Sequence, residues 1–86
     1  MRGDDLDRIA SRVADIYEIE VDEIFLKGKQ QKRVKARSLF CFWAVRELGI
    51  SLTELARRLG ISIAGVGYSV ARGEIIAREN HYQLIE

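Results

Sequence analysis

The sequence predicts an all-α domain of about five helices, on three observations. Apolar residues recur at three- and four-residue intervals in several segments, the spacing that lines one face of a helix. No stretch alternates apolar and polar residues over the length of a strand. The 86 residues contain no proline, so nothing interrupts a helix from inside. A chain of this length makes one domain, residues 1–86, with one modest core.

The first helix starts at an Asp4 or Asp5 cap and turns Leu6, Ile9, Ala10, Val13, Ile16 and Tyr17 inward. Asp7, Arg8, Arg12 and Asp15 face outward, so the pattern is core packing without chemistry. A short second helix is expected from Asp22, with Val21, Ile24 and Phe25 covering the core. Residues 27–33 hold no apolar residue and one glycine, which reads as a basic loop. The third helix, 34–48, is apolar nearly all round from Ser38 to Val45 and is therefore the buried hub that the other helices surround. Phe40, Phe42 and Trp43 belong to that core. So does Cys41, the single cysteine, as a small buried hydrophobe.

After Gly49 comes the most patterned stretch, Leu52 to Gly73. Ser51 caps a helix, with Glu54 completing a capping box, and Leu52, Leu55, Ala56 and Leu59 share one face. Gly60 ends that helix in the left-handed conformation that glycine adopts without a Cβ clash. Ile61 plugs the corner, and Ser62 caps a second helix whose inward positions are Val66 and Val70. A small residue, Ala56, ahead of a glycine turn between two short helices is the pattern of a helix-turn-helix. Ser69 stands where that pattern has an apolar residue, and Val70 takes its place. Gly65 and Gly67 lie inside the second helix, each costing about 1 kcal/mol relative to alanine. Residues 74–78 continue or resume the helix, and residues 80–86 read as a fraying tail.

The net charge of +1 hides an asymmetry. Residues 1–23 carry three basic and eight acidic groups, whereas residues 24–73 carry ten basic groups against Glu47 and Glu54, a net +8. The positive segment is the one that holds the two patterned helices, which points to a polyanion. Enzyme chemistry finds no support. His81 is the only histidine, so neither a zinc set nor a Ser-His-Asp arrangement is available, and no phosphate-cradling glycine loop is present. The acidic pairs Asp4-Asp5 and Asp22-Glu23 sit at helix starts, where capping explains them. No cofactor, metal or small-molecule substrate is expected. With no run of apolar residues long enough for a membrane span and no signal peptide, a soluble cytoplasmic protein is expected.

The series Tyr17-x-Ile-x-Val-Asp-x-Ile, a basic loop, Lys35-Ala-Arg, an apolar helix ending Arg46-Glu-Leu and then Ser51-Leu-x-Glu-Leu resembles the C-terminal DNA-binding domain of the bacterial replication initiator DnaA. The run K-A-R-S-L-F-C-F-W-A-V-R-E-L-G, then S-L-T-E-L-A-R-R-L-G and V-A-R-G-E, is more similar still to the DnaA-like tail of REP-associated tyrosine transposases. The resemblance spans about Leu6 to Ala77. It implies a DnaA-like helical fold, duplex or hairpin DNA as partner, and a chain that is a DNA-binding fragment or stand-alone copy of such a tail. It also implies that a basic loop reaches the minor groove or backbone, which places Lys29, Lys32, Arg33, Lys35 and Arg37 at DNA. The reading helix falls on Ser62 to Arg72, with Ser62, Ile63, Ala64, Gly67, Tyr68 and Arg72 outward. Ser62-Ile-Ala-Gly stands where the initiators carry an Asp-His-Thr triplet, so the initiator's own DNA box is not implied. Ile63 and Ala64 suit thymine methyls, and Arg72 suits a phosphate. A helical protein-interaction module without DNA binding is the alternative, and it rests on the unusual glycines and the scarcity of base-reading side chains.

Overall fold

The computed structural model describes the backbone of residues 2–25 and 30–82, and side chains from Leu6 onward within those spans. Five helices follow one another: α1 (Arg2–Tyr17), α2 (Val21–Phe25), α3 (Gln31–Leu48), α4 (Leu52–Leu59) and α5 (Ile63–Asn80). No strand occurs among the described residues. The all-α expectation holds, with α3 at the centre and α1, α2 and α5 packed against it, while α4 leans on α5.

In α1, Leu6, Ile9, Ala10 and Val13 are buried and Ile16 and Tyr17 are half-buried, as the spacing predicts, and Ala14 is buried with them. Its start differs from the expectation. The backbone is already helical at Arg2, so Asp4 and Asp5 lie in the first turn and neither is the cap. Acidic residues are favoured at both places, so their presence does not fix the boundary. The helix closes on Glu18 in the left-handed region (φ 56°). The amides of Glu18 and Ile19 bond back to the Asp15 and Ala14 carbonyls, and the half-buried Ile19 then packs on the core.

In α2, Ile24 is fully buried, but Phe25 is 42% exposed and lies at the rim of the core. Its ring meets Phe40 edge-on at 5.3 Å. A helix this short turns one residue fully inward, and its neighbour is rotated about 100° away.

α3 begins at Gln31, ahead of the expected Val34, so Lys32 and Arg33 belong to a helix and not to a loop. One tertiary contact falls within the extension and a second one turn later. Arg33 Nε donates to Glu23 Oε1 at 3.2 Å, and Arg37 Nε donates to the Ile24 carbonyl at 3.3 Å, so both arginines hold α2 against α3. Lysine, arginine and glutamine also favour helix intrinsically, which a polarity criterion overlooks. Further along, Ala36, Ser38, Leu39, Phe40, Cys41, Trp43 and Ala44 are buried, as expected of the hub. The Ser38 hydroxyl is satisfied by the Val34 carbonyl at 2.9 Å. Gly49 ends α3 at φ 68°.

α4 starts as expected, with Ser51 Oγ accepting from the Glu54 amide at 3.1 Å. The reciprocal half of the capping box is not made, because Glu54 Oε2 turns to Arg58 at 3.2 Å. Leu55, Ala56 and Leu59 are buried, whereas Leu52, the first helical residue, is 36% exposed at the lip. Gly60 turns the chain at φ 69°, its amide bonding to the Ala56 carbonyl, and Ile61 half-buries at the corner.

α5 is capped by Ser62, whose Oγ accepts from the Gly65 amide at 3.0 Å, and it runs unbroken through Gly73 to Asn80. Val66 is fully buried and Val70 is half-buried on the core. The segment after it is tied down as far as Tyr82, contrary to the expectation of fraying from residue 80. His81 adopts φ 57°, the Tyr82 amide bonds to the Ala77 carbonyl at 3.0 Å, and the Tyr82 ring meets Tyr17 at 6.3 Å. Residues 83–86 lie outside the described residues.

Candidate nucleic-acid interface

The exposed surface of α5 follows from its period. Val66, Val70, Gly73, Ile76 and Ala77 line the arc packed against the rest of the domain. The opposite arc carries Ala64, Tyr68, Ala71, Arg72 and Ile75, with Gly67 at its flank, and Ile63, three residues before Val66, is exposed as the first residue of the helix. Of these, Ile63 is 51% exposed, Tyr68 77% and Ile75 54%. Ala64, Ala71 and Arg72 are also exposed, while Gly67 is half-exposed. Apart from Arg72 the arc is apolar over the first three turns and more of the helix. Ser62 stands exposed at its head, and its oxygen is engaged by the Gly65 amide, so its hydroxyl hydrogen is left to donate outward.

The basic residues expected at DNA separate into two groups. Arg33 and Arg37 are half-buried, and their Nε atoms are engaged by Glu23 and the Ile24 carbonyl. Lys32 and Lys35 are exposed on the first turns of α3, where Lys32 contributes to the field at Glu23. Lys29 lies outside the described residues. The Glu20 amide chiefly, and after it Arg33 and Lys32, hold the Glu23 carboxyl below its ordinary pKa against an opposing desolvation.

Two residues outside the expected set join the picture. Arg57 is exposed on the last turn of α4, directly before the turn into α5. Arg57, Lys35 and Arg72 make no hydrogen bond or ion pair among the described residues, unlike Arg58, which is paired with Glu54. Ile75 extends the apolar arc one turn beyond Ala71, and its i+4 spacing from Ala71 would have revealed it once α5 was taken through Gly73.

The glycines of α5 differ in what surrounds them. A Cβ at Gly67 would meet nothing within 4 Å. At Gly65 it would press on the Ser62 cap oxygen at 3.2 Å. The close approach that a helical glycine suggests is made at Gly73, against α3. No helix among the described residues is long and apolar enough to cross a membrane. No protein family, curated protein or solved structure matches this chain, so the chemistry of the surface rests on its own residues.

Proposed function

We propose that the chain is a DNA-binding module that docks the outward arc of α5, Ser62 to Arg72, in the major groove of duplex DNA. The observation that carries this reading is an exposed arc of small residues on the second of two turn-linked helices, in a chain whose Lys35, Arg57 and Arg72 side chains are exposed and have no partner among the described residues. A helix that presents small residues can lie close to base edges, and unneutralised cations favour a polyanion. The resemblance to the DNA-binding domain of DnaA and to the tail of REP-associated tyrosine transposases supports the same reading and suggests a transposase-like or initiator-like parent. Arg33 and Arg37 act here through the fold, by fixing α2 to the start of α3, and the phosphate contacts fall to Lys32, Lys35, Arg57 and Arg72.

The test is fluorescence anisotropy on random-sequence duplexes across a salt series. These four phosphate contacts give a slope of log K against log salt of about −3.6. A flat response overturns the reading.

A second reading is favoured by the apolar character of the same arc. Ile63, Tyr68 and Ile75 are each more than half exposed, as on a surface that meets another protein. Ala64→Glu separates the two, because a carboxylate on an exposed helix position leaves the fold intact and repels a phosphate-lined groove. A folded Ala64→Glu protein that binds DNA as well as the wild type puts the protein-interaction module first.

A further inference from the structure

Gly67 is a helical glycine that the fold itself does not require. It lies within α5, costs about 1 kcal/mol of helix propensity, and occupies a position where an added Cβ would meet no atom within 4 Å. Around it on the same exposed arc stand Ile63 and Ala71 at four-residue spacing and Ala64 three residues before. None of these carries a hydrogen-bonding group. The floor of the arc is thus a strip of methyl and methylene groups with a bare backbone at its centre. On the major-groove edge of a base pair, the one group such a strip can recognise is the C5 methyl of a pyrimidine. The oxygen and nitrogen atoms there need donors or acceptors that Ile63, Ala64, Gly67 and Ala71 lack and that only Ser62, Tyr68 and Arg72 carry at the ends and edge of the strip. The cations Lys35, Arg57 and Arg72, without a side-chain partner among the described residues, match the charge of the strands that border a groove.

We infer that α5 reads pyrimidine C5 methyl groups, with Ile63, Ala64 and Ala71 in contact with them and Gly67 at the point of closest approach. This rests on the docking of α5 proposed above. It goes further in making thymine, as distinguished from uracil, the recognised feature. It also assigns Gly67 a role in binding that packing does not give it.

The experiment uses the full chain and the best-bound sequences recovered from a random duplex pool. Each is synthesised with thymidine and again with deoxyuridine, which removes the methyl and leaves every groove donor and acceptor in place. The expected loss is about fourfold in affinity for each contacted methyl, the value of burying one such group. Ile63→Ala, at an exposed first-turn position, is expected to bring the thymine-to-uracil ratio toward unity while leaving the salt slope and the circular dichroism unchanged. Equal affinity for both duplexes, with salt-dependent binding retained, overturns the methyl inference alone. Absence of binding to any duplex overturns the docking of α5 as well. A uracil penalty that Ile63→Ala leaves undiminished also overturns the assignment, since the methyl would then be felt elsewhere.

Discussion

Gly73 of α5 lies against the backbone of Ser38 of α3. A Cβ built at Gly73 would overlap the Ser38 carbonyl oxygen and stand 2.7 Å from the Phe42 Cβ. Two helices of 18 residues each therefore meet backbone to backbone at this crossing, and neither the Ser38 main chain nor the Phe42 Cβ can rotate away. Gly73→Ala should destabilise the domain by about 3 kcal/mol, the upper end of ordinary overpacking, despite the better helix propensity of alanine. Urea unfolding gives the value, and an unchanged midpoint would show that the helices part there without cost.

Gly67→Ala should have the opposite sign for stability. With open space around the added methyl, the substitution should stabilise by up to about 1 kcal/mol. On the docking proposed for α5 it should also weaken duplex binding, because the methyl holds the helix away from the groove. Thermal unfolding and anisotropy on the same preparation read both effects. A stabilised variant with undiminished affinity would remove Gly67 from the interface.

The two groups of basic residues should separate by mutation. Lys35→Ala and Arg57→Ala should lower affinity for all duplex sequences alike and reduce the salt slope by about one each, with little change in stability. Arg33→Ala should instead cost up to about 1 kcal/mol of stability, since its side chain is only 25% exposed and bonds Glu23. Were Arg33→Ala to leave stability untouched and abolish binding, the assignment of Arg33 to the α2–α3 junction would fail.

Acid should loosen that junction in a defined direction. The Glu23 carboxyl has a lowered pKa in the folded chain, so its contribution is present above the ordinary carboxylate range and is lost as pH falls through the folded value. Glu23→Gln should accordingly flatten the acid limb of a stability profile below about pH 4 and leave its alkaline limb alone.

Cys41 should be inert in the native protein. It is fully buried, and desolvation pushes its thiol pKa up to about 12 against the opposing charge of Arg37. Labelling by a thiol reagent at neutral pH should therefore proceed no faster than unfolding. Because the folded pKa is raised, the thiol's contribution is complete below its ordinary pKa and is lost as pH climbs from about 9 toward 12. Cys41→Ser should weaken that alkaline loss, and rapid native labelling would show that α3 is not sealed.

The sequence by itself determined what depends on neighbours within one turn of helix. The caps at Ser51 and Ser62 and the turns at Gly49 and Gly60 arise from contacts between residues a few positions apart, and the inward faces of α1 and α4 and the apolar surround of α3 are set by the local period of apolar residues. Much of the outward arc of α5 was legible for the same reason, since helical period sets Ala64, Tyr68 and Ala71 opposite Val66, whereas Ile63 is exposed by its place at the helix start. Contacts between distant residues were decided only by the tertiary structure. Arg33 and Arg37 look like any other basic residues in a polar run until Glu23 and the Ile24 carbonyl are brought beside them. Those contacts draw both charges into the fold. Tyr82 reads as tail until Tyr17 meets it. Gly67 and Gly73 are identical in sequence terms, and both tax the helix equally. Only the arrival of the α3 backbone at one of them, with open space at the other, makes Gly73 a requirement of packing and leaves Gly67 without an internal reason.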